Sequence, residues 1–293
     1  DQRFLEFASR ACIPLIAVDE AHCVSQWGQD FRPSYLRIGQ FIEQLPKRPA
    51  VAAFTATATE RVRADIVRLL GLQNPYQIVT GFDRPNLHFS VERLEPSKKL
   101  ARIMVYAKAH PDDSGVVYCN TRKNVEKVHE ALVQAGVRAV RYHAGLSNQE
   151  RTQNQRAWIN DDASVVVATN AFGMGIDKPN VRYVIHYNMP GSIEAYYQEA
   201  GRAGRDGLPS ECMLYWSDGD LSTCRFFLEQ DSGNESMTEE EASMARAARR
   251  RMLAAMEGYC LTCDCLRGYM LRYFGDQAVK APAASENALG SSP

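Results

Sequence analysis

The chain carries almost no net charge: 34 Lys and Arg against 35 Asp and Glu leave a formal −1 over 293 residues. Global charge thus neither supports nor excludes DNA, and any nucleic-acid role needs basic groups gathered locally. No apolar run approaches the roughly 20 residues of a membrane-spanning helix. The 8 cysteines are scattered apart from Cys260, Cys263 and Cys265. This argues against a disulfide framework, and nothing ahead of the first apolar run has the shape of a secretory leader. A soluble intracellular chain with free thiols is the expectation. No Gly-Lys dipeptide occurs anywhere, so the phosphate-cradling loop GxxxxGK[ST] is absent. What remains is ordinary globular composition, 45% apolar and 24% charged, long enough for two modest domains or one large one.

The richest stretch is Ile16-Ala17-Val18-Asp19-Glu20-Ala21-His22. An apolar run from Ile13 to Val18 reads as a buried strand, and strand ends in open parallel sheets are where nucleotide chemistry is placed. There Asp19 can hold Mg²⁺ and Glu20 can orient an attacking water, although acidic residues after a strand also serve as a plain helix N-cap. Next come Trp27, Phe31 and Tyr35 at helical spacing, interrupted by Gly28 and Pro33. Aromatics interleaved with Arg32 suit stacking on unpaired bases.

The run from Asp19 to Tyr35 (DEAHCVSQWGQDFRPSY) resembles motif II and the aromatic-rich loop of RecQ-family DNA helicases. That resemblance implies that Trp27, Phe31 and Arg32 sense DNA and license hydrolysis, with His22 part of the catalytic set. It extends from about Ile13 to Asp276. Thr55-Ala56-Thr57-Ala58-Thr59, after a strand at 50–54, resembles motif III, whose Thr55 and Thr57 would relay phosphate state; a helix N-cap is the compatible local reading. A last strand is expected at 76–82, and Asp83-Arg84-Pro85-Asn86 reads as a linker turn.

The following segment alternates strand and helix, as a parallel sheet requires. Strands are expected at 116–119, 137–143, 165–168, 181–187 and 213–216, the last closing the sheet. Tyr118-Cys119-Asn120-Thr121-Arg122 resembles motif IV, with Asn120 and Arg122 suited to phosphate. His143 matches the family near the DNA backbone, although a solitary histidine also packs. The stretch from Ala168 to Asp177 resembles motif V, with Thr169 on the DNA side and Gly175 and Asp177 on the nucleotide side. Tyr197 to Gly207 (YQEAGRAGRDG) places Arg202 and Arg205 on one expected helical face, able to neutralise a transferring phosphoryl group. It matches motif VI, implying nucleotide contacts from Gln198 and Arg202 and an arginine finger at Arg205.

After Ser217 a helix carries Arg246, Arg249, Arg250 and Arg251, either a solvated face or a phosphate track. Cys265 matches the first ligand of the RecQ zinc subdomain. No cysteine or histidine follows Phe274, and Cys260, Cys263 and Cys265 supply three of the four donors a tetrahedral site needs. Zinc is therefore not expected to be complete in this chain.

The expected fold is α/β: part of a first RecA-like lobe at 1–82, a complete second RecA-like parallel-sheet lobe at 83–218, a helical region at 219–275 and a disordered tail at 276–293. The resemblance implies an ATP- and Mg²⁺-dependent 3′–5′ DNA helicase of repair or recombination, acting on single strands and tailed duplexes. Such a protein would sit at a bacterial nucleoid or in a nucleus. Without the phosphate loop this chain alone is expected to be inactive, and a catalytically dead DNA- or protein-binding chain stays open. An RNA helicase is disfavoured by the aromatic loop.

Overall fold

The computed structural model describes residues 2–25, 27, 31–170, 172, 176–230 and 239–276. Two parallel sheets organise them. The smaller pairs β1 (Leu15–Val18) with β2 (Ala50–Ala53), Val18 lying opposite Ala53. Ahead of β1 lies a helix that sequence patterning did not suggest, α1 (Gln2–Arg10). Behind it come a 3-10 turn (Ala21–Val24), α2 (Pro33–Gln44) and α3 (Glu60–Leu69). Val18, Ala21, Val24, Val62, Ile66 and Leu70 form their shared core. Helix α3 stops at Gly71, whose φ of +59° favours a residue without Cβ.

The strand expected at 76–82 does not form. Tyr76 and Ile78 are 89% and 70% exposed. Strand-like composition has effect only beside a sheet edge, and this segment has none to pair with. The chain instead enters the larger sheet at β3 (Leu87–Arg93), a strand hidden in the sequence by His88, Ser90 and Glu92 on its polar side.

From there the order is α4 (Pro96–Ala109), β4 (Ser114–Tyr118), α5 (Arg122–Gln134), β5 (Ala139–Tyr142), α6 (Asn148–Ile159), β6 (Val165–Ala168), β7 (Val181–His186), α7 (Ile193–Ala200) and β8 (Ser210–Trp216). In space the strands run β3-β8-β7-β4-β6-β5, every neighbouring pair parallel. Thus β8 does not close the sheet. Buried along nearly its whole length, it sits inside, between β3 and β7. Strand alternation builds two cores. Val116, Val166 and Val184 join one with Trp158, Phe172 and Tyr196, while Val117, Val167 and Ile185 join the other with Ile103, Val125 and Leu132.

Three further helices follow: α8 (Asp218–Gln230), α9 (Glu239–Leu261) and α10 (Leu266–Tyr273). Among the described residues they form no separate core. Leu253, Met256, Tyr259, Met270 and Phe274 enter the first core of the sheet, and Phe274 stacks on Phe82 at 4.5 Å. The Arg267 guanidinium donates to the Asp83 carboxylate at 2.8 Å and to the carbonyls of Arg84 and Leu87 at 2.6 and 2.5 Å. The helical region is thereby fastened to the segment between the two sheets.

Candidate nucleotide and nucleic-acid site

Asp19 and Glu20 leave the end of β1 exposed. Glu20 sits at φ 47°, ψ 42°, in the left-handed region, a conformation that costs energy for a side chain with Cβ and that clusters at functional sites. The Asp19 carboxylate accepts from the Glu20 amide at 2.8 Å, which helps hold that bend. His22 is 2% exposed. Its Nδ1 lies 3.3 Å from Glu20 Oε2 and 3.0 Å from Thr55 Oγ1. Thr55 Oγ1 in turn accepts from the Thr57 amide at 3.3 Å. One buried ring thus joins the acid pair to the threonine loop. Two carboxylates at a strand end are hard oxygen donors of the kind Mg²⁺ takes.

Trp27 is half-buried between two guanidiniums, Arg61 of α3 at 3.2 Å and Arg251 of α9 at 4.6 Å from its ring centroid. The arginine-rich α9 therefore reaches the aromatic loop, and Arg251 is not merely a solvated charge. Phe31 is half-buried and Arg32 exposed. The Arg32 amide donates to Cys23 O at 2.9 Å.

Helix α7 ends at Ala200, so Arg202 and Arg205 do not share a helical face. They occupy turns containing Gly204 and Gly207, at φ +55° and +82°; a continued helix would need neither. Arg205 pairs with Asp177 at 2.9 Å and also donates to Ile176 O at 3.1 Å. Gly175 lies outside the described residues. Arg84, read from sequence as part of a linker, donates to the carbonyls of Gly201, Ala203 and Gly204 at 3.3, 3.0 and 3.0 Å. The Asn86 amide adds bonds to Gly204 O and Leu208 O at 2.8 and 3.0 Å. Nothing in the local sequence signals this scaffold beneath the arginine turn, since its partners lie more than a hundred residues away.

Asn120, Gln198 and Arg202 line one cleft of about 650 Å³ with Arg32 and Arg249. It draws on the turn after β4, on α7, on α9 and on the aromatic loop. Arg202 also lies against Tyr118, whose hydroxyl is pushed up by burial and partly restrained by that guanidinium. Arg122 is exposed at the first turn of α5, whose N-cap Thr121 accepts from the Asn124 amide. Thr169 is half-buried, its amide donating to Tyr142 O at 3.2 Å. His143 is 5% exposed. Its Nδ1 accepts from the Gly145 amide at 3.1 Å, which leaves the proton on Nε2 to be donated to Glu126 at 2.7 Å. With both ring nitrogens engaged inside the lobe, the ring braces its turn and the turn faces outward.

Residues 96–207 match the helicase conserved C-terminal domain family, and residues 218–283 match the RecQ zinc-binding family. The chain is 43% identical over 274 residues to the ATP-dependent DNA helicase RecQ of Bacillus subtilis, covering 94% of this chain and 44% of that protein. It is 42% identical over 278 residues to the protein of the same name from Pasteurella multocida, covering 94% and 42%. This chain belongs to the RecQ family. It spans less than half the length of those relatives, and 19% of the RecQ-like DNA helicase BLM of Xenopus laevis, to which it is 40% identical over 270 residues and which covers 91% of this chain. Among solved structures, Saccharomyces cerevisiae Dbp5 bound to RNA and ADP BeF3 superposes with a TM-score of 0.59 at 20% identity, covering 85% of this chain and 67% of that one. That likeness carries the RecA-like fold alone.

The RecQ zinc-binding match raises the question of zinc. Cys265 is the N-cap of α10 and Cys263 lies beside it, both exposed. Cys260 is half-buried, and burial pushes its thiol up to about 12. Among the described residues no three of His, Cys, Asp and Glu gather as a metal site, and the sequence beyond Phe274 holds neither Cys nor His. These donors do not fit a four-coordinate structural zinc.

Proposed function

We propose that this chain serves an ATP-dependent 3′–5′ DNA helicase of RecQ type, in repair or recombination, together with a phosphate-binding loop that its own sequence does not contain. Asp19 holds Mg²⁺, Glu20 polarises the attacking water, and Gln198 and Arg202 meet the nucleotide. Bound Mg²⁺ supplies charge neutralisation on the phosphates. Arg205 stabilises the transition state after leaving Asp177. That exchange is cheap, because the pair is 37% and 83% exposed and exposed ion pairs contribute little. Trp27, Phe31 and Arg32 report the DNA strand to the acid pair, while Asn120, Arg122, Thr169 and the turn at His143 contact its backbone. The observation that carries the reading is the buried His22 bridge, which gives Glu20 and Thr55 a shared partner. Opening and closing of the lobes steps the motor along one strand.

The test is DNA-stimulated ATP hydrolysis. This chain alone should show none, and a longer RecQ protein joining it to a GKS-bearing half should show turnover that Glu20→Gln abolishes. Turnover by the chain alone that Glu20→Gln removes would refute the dependence on a missing loop. A restored protein stimulated by single-stranded RNA but not by DNA would refute the DNA assignment. A second reading, a binding chain without catalysis, is favoured by the lack of any Gly-Lys dipeptide. It predicts single-strand binding with no turnover even when joined to that half.

A further inference from the structure

Beneath the Asn120 turn runs a chain of buried polar groups. Lys99 of α4 is 1% exposed and Asp220 of α8 6% exposed, and the two form an ion pair. Neither charge could sit there alone. Lys99 Nζ also donates to Tyr187 O at 3.2 Å, and Asp220 Oδ2 accepts from the Ser217 amide at 2.8 Å. The other oxygen of Asp220 accepts from Asn188 Nδ2 at 2.6 Å. Asn188, just past the end of β7, then turns its Oδ1 to two donors of the facing turn: the Asn120 amide at 3.2 Å and Asn124 Nδ2 at 3.2 Å. The carboxylate on one side and the two donors on the other fix which way this amide faces. A flipped Asn188 would set its oxygen against Asp220 and its NH₂ against two donors. Asn120 itself is exposed, lines the cleft and anchors its Nδ2 on Met189 O at 3.0 Å.

We propose that Asn188, oriented by the Lys99–Asp220 pair, is a positioning residue that holds the Asn120 turn in the conformation that meets a nucleic-acid phosphate. The proposal rests on reading that turn as a backbone contact. It makes α8, outside the larger sheet, a support for a binding turn within it.

The decisive variant is the Lys99→Met, Asp220→Leu pair. Exchanging a buried ion pair for apolar side chains of similar size commonly preserves stability, yet it removes the carboxylate that holds the Asn188 NH₂. Asn188→Ser, which keeps the ion pair but cannot span the gap, is the second variant. Amide hydrogen exchange across 119–125 is measured without DNA, and oligothymidine binding by fluorescence anisotropy. Each variant should speed exchange at Asn120 about fivefold and weaken oligothymidine about fivefold, the loss of roughly one hydrogen bond, with the melting temperature of at least one of them kept. Wild-type exchange at Asn120 in both variants would overturn the proposal, as would faster exchange with undiminished binding. A wild-type chain that binds no oligothymidine would count against the DNA reading, while exchange still decides whether Asn188 holds the turn.

Discussion

Arg84 offers the sharpest test of how the arginine turn is built. Replacing it with Met keeps most of the stem and removes the guanidinium that serves Gly201, Ala203 and Gly204. Gly204 O keeps its bond from Asn86, so the carbonyls of Gly201 and Ala203 bear the main loss. Bonds from a charged donor contribute about 1.5–3 kcal/mol each, less where partly solvated, and these are half-buried. Two of them give about 2–4 kcal/mol. For a unit of this size each kcal/mol moves the melting point by about 2–4 °C, so Arg84→Met should melt about 5–12 °C below wild type by circular dichroism. Exchange should also rise across 200–207. Arg84→Lys, able to keep one bond, should fall between. An Arg84→Met protein melting within about 2 °C of wild type, with exchange across 200–207 unchanged, would refute the claim that this side chain scaffolds the turn.

The remaining predictions concern single residues. Gly204→Ala combines a φ of +55° with a Cβ that would meet Asn86 Nδ2 at 2.4 Å and Leu208 O at 2.8 Å; it should lower stability by several kcal/mol, and a melt indistinguishable from wild type would contradict it. With Cys12, Cys263 and Cys265 exposed and the other cysteines wholly or partly buried, an aromatic disulfide reagent should consume three thiols quickly and the rest only on unfolding. Protection of Cys265 that a zinc chelator relieves would restore the metal site. Burial pushes the Glu126 carboxyl up, but bonds from His143 and Arg141 outweigh it and hold the group below its ordinary value. A carboxylate depressed in the fold stabilises above its ordinary value, near 4.3, and loses that contribution as pH falls through the folded value. The melting-point gap between wild type and Glu126→Gln should therefore shrink as pH drops from about 6 to below 4, and a constant gap would contradict it.

Much of this architecture is local and was legible from the sequence. Short apolar runs such as Val165–Ala168 are buried strands because both faces are covered, whereas the capping box of Ser147 and Glu150 that starts α6 is a finding of the structure. The acid pair, the aromatic loop and the arginine turn are contiguous motifs, so residue order alone announced them. Strand pairing was not local. The expected strand at 76–82 lacks a neighbour, β3 finds one 123 residues away where His88 meets Glu211, and β8 lies inside the sheet because order in space is set by which faces can be buried together. The same holds for long-range polar partners. Arg84 under the turn of Arg202, Arg267 on the inter-sheet segment, and His22 between Glu20 and Thr55 each satisfy groups far away in sequence. Periodicity can say that such a side chain is present, but only the assembled fold brings its partner within bonding distance.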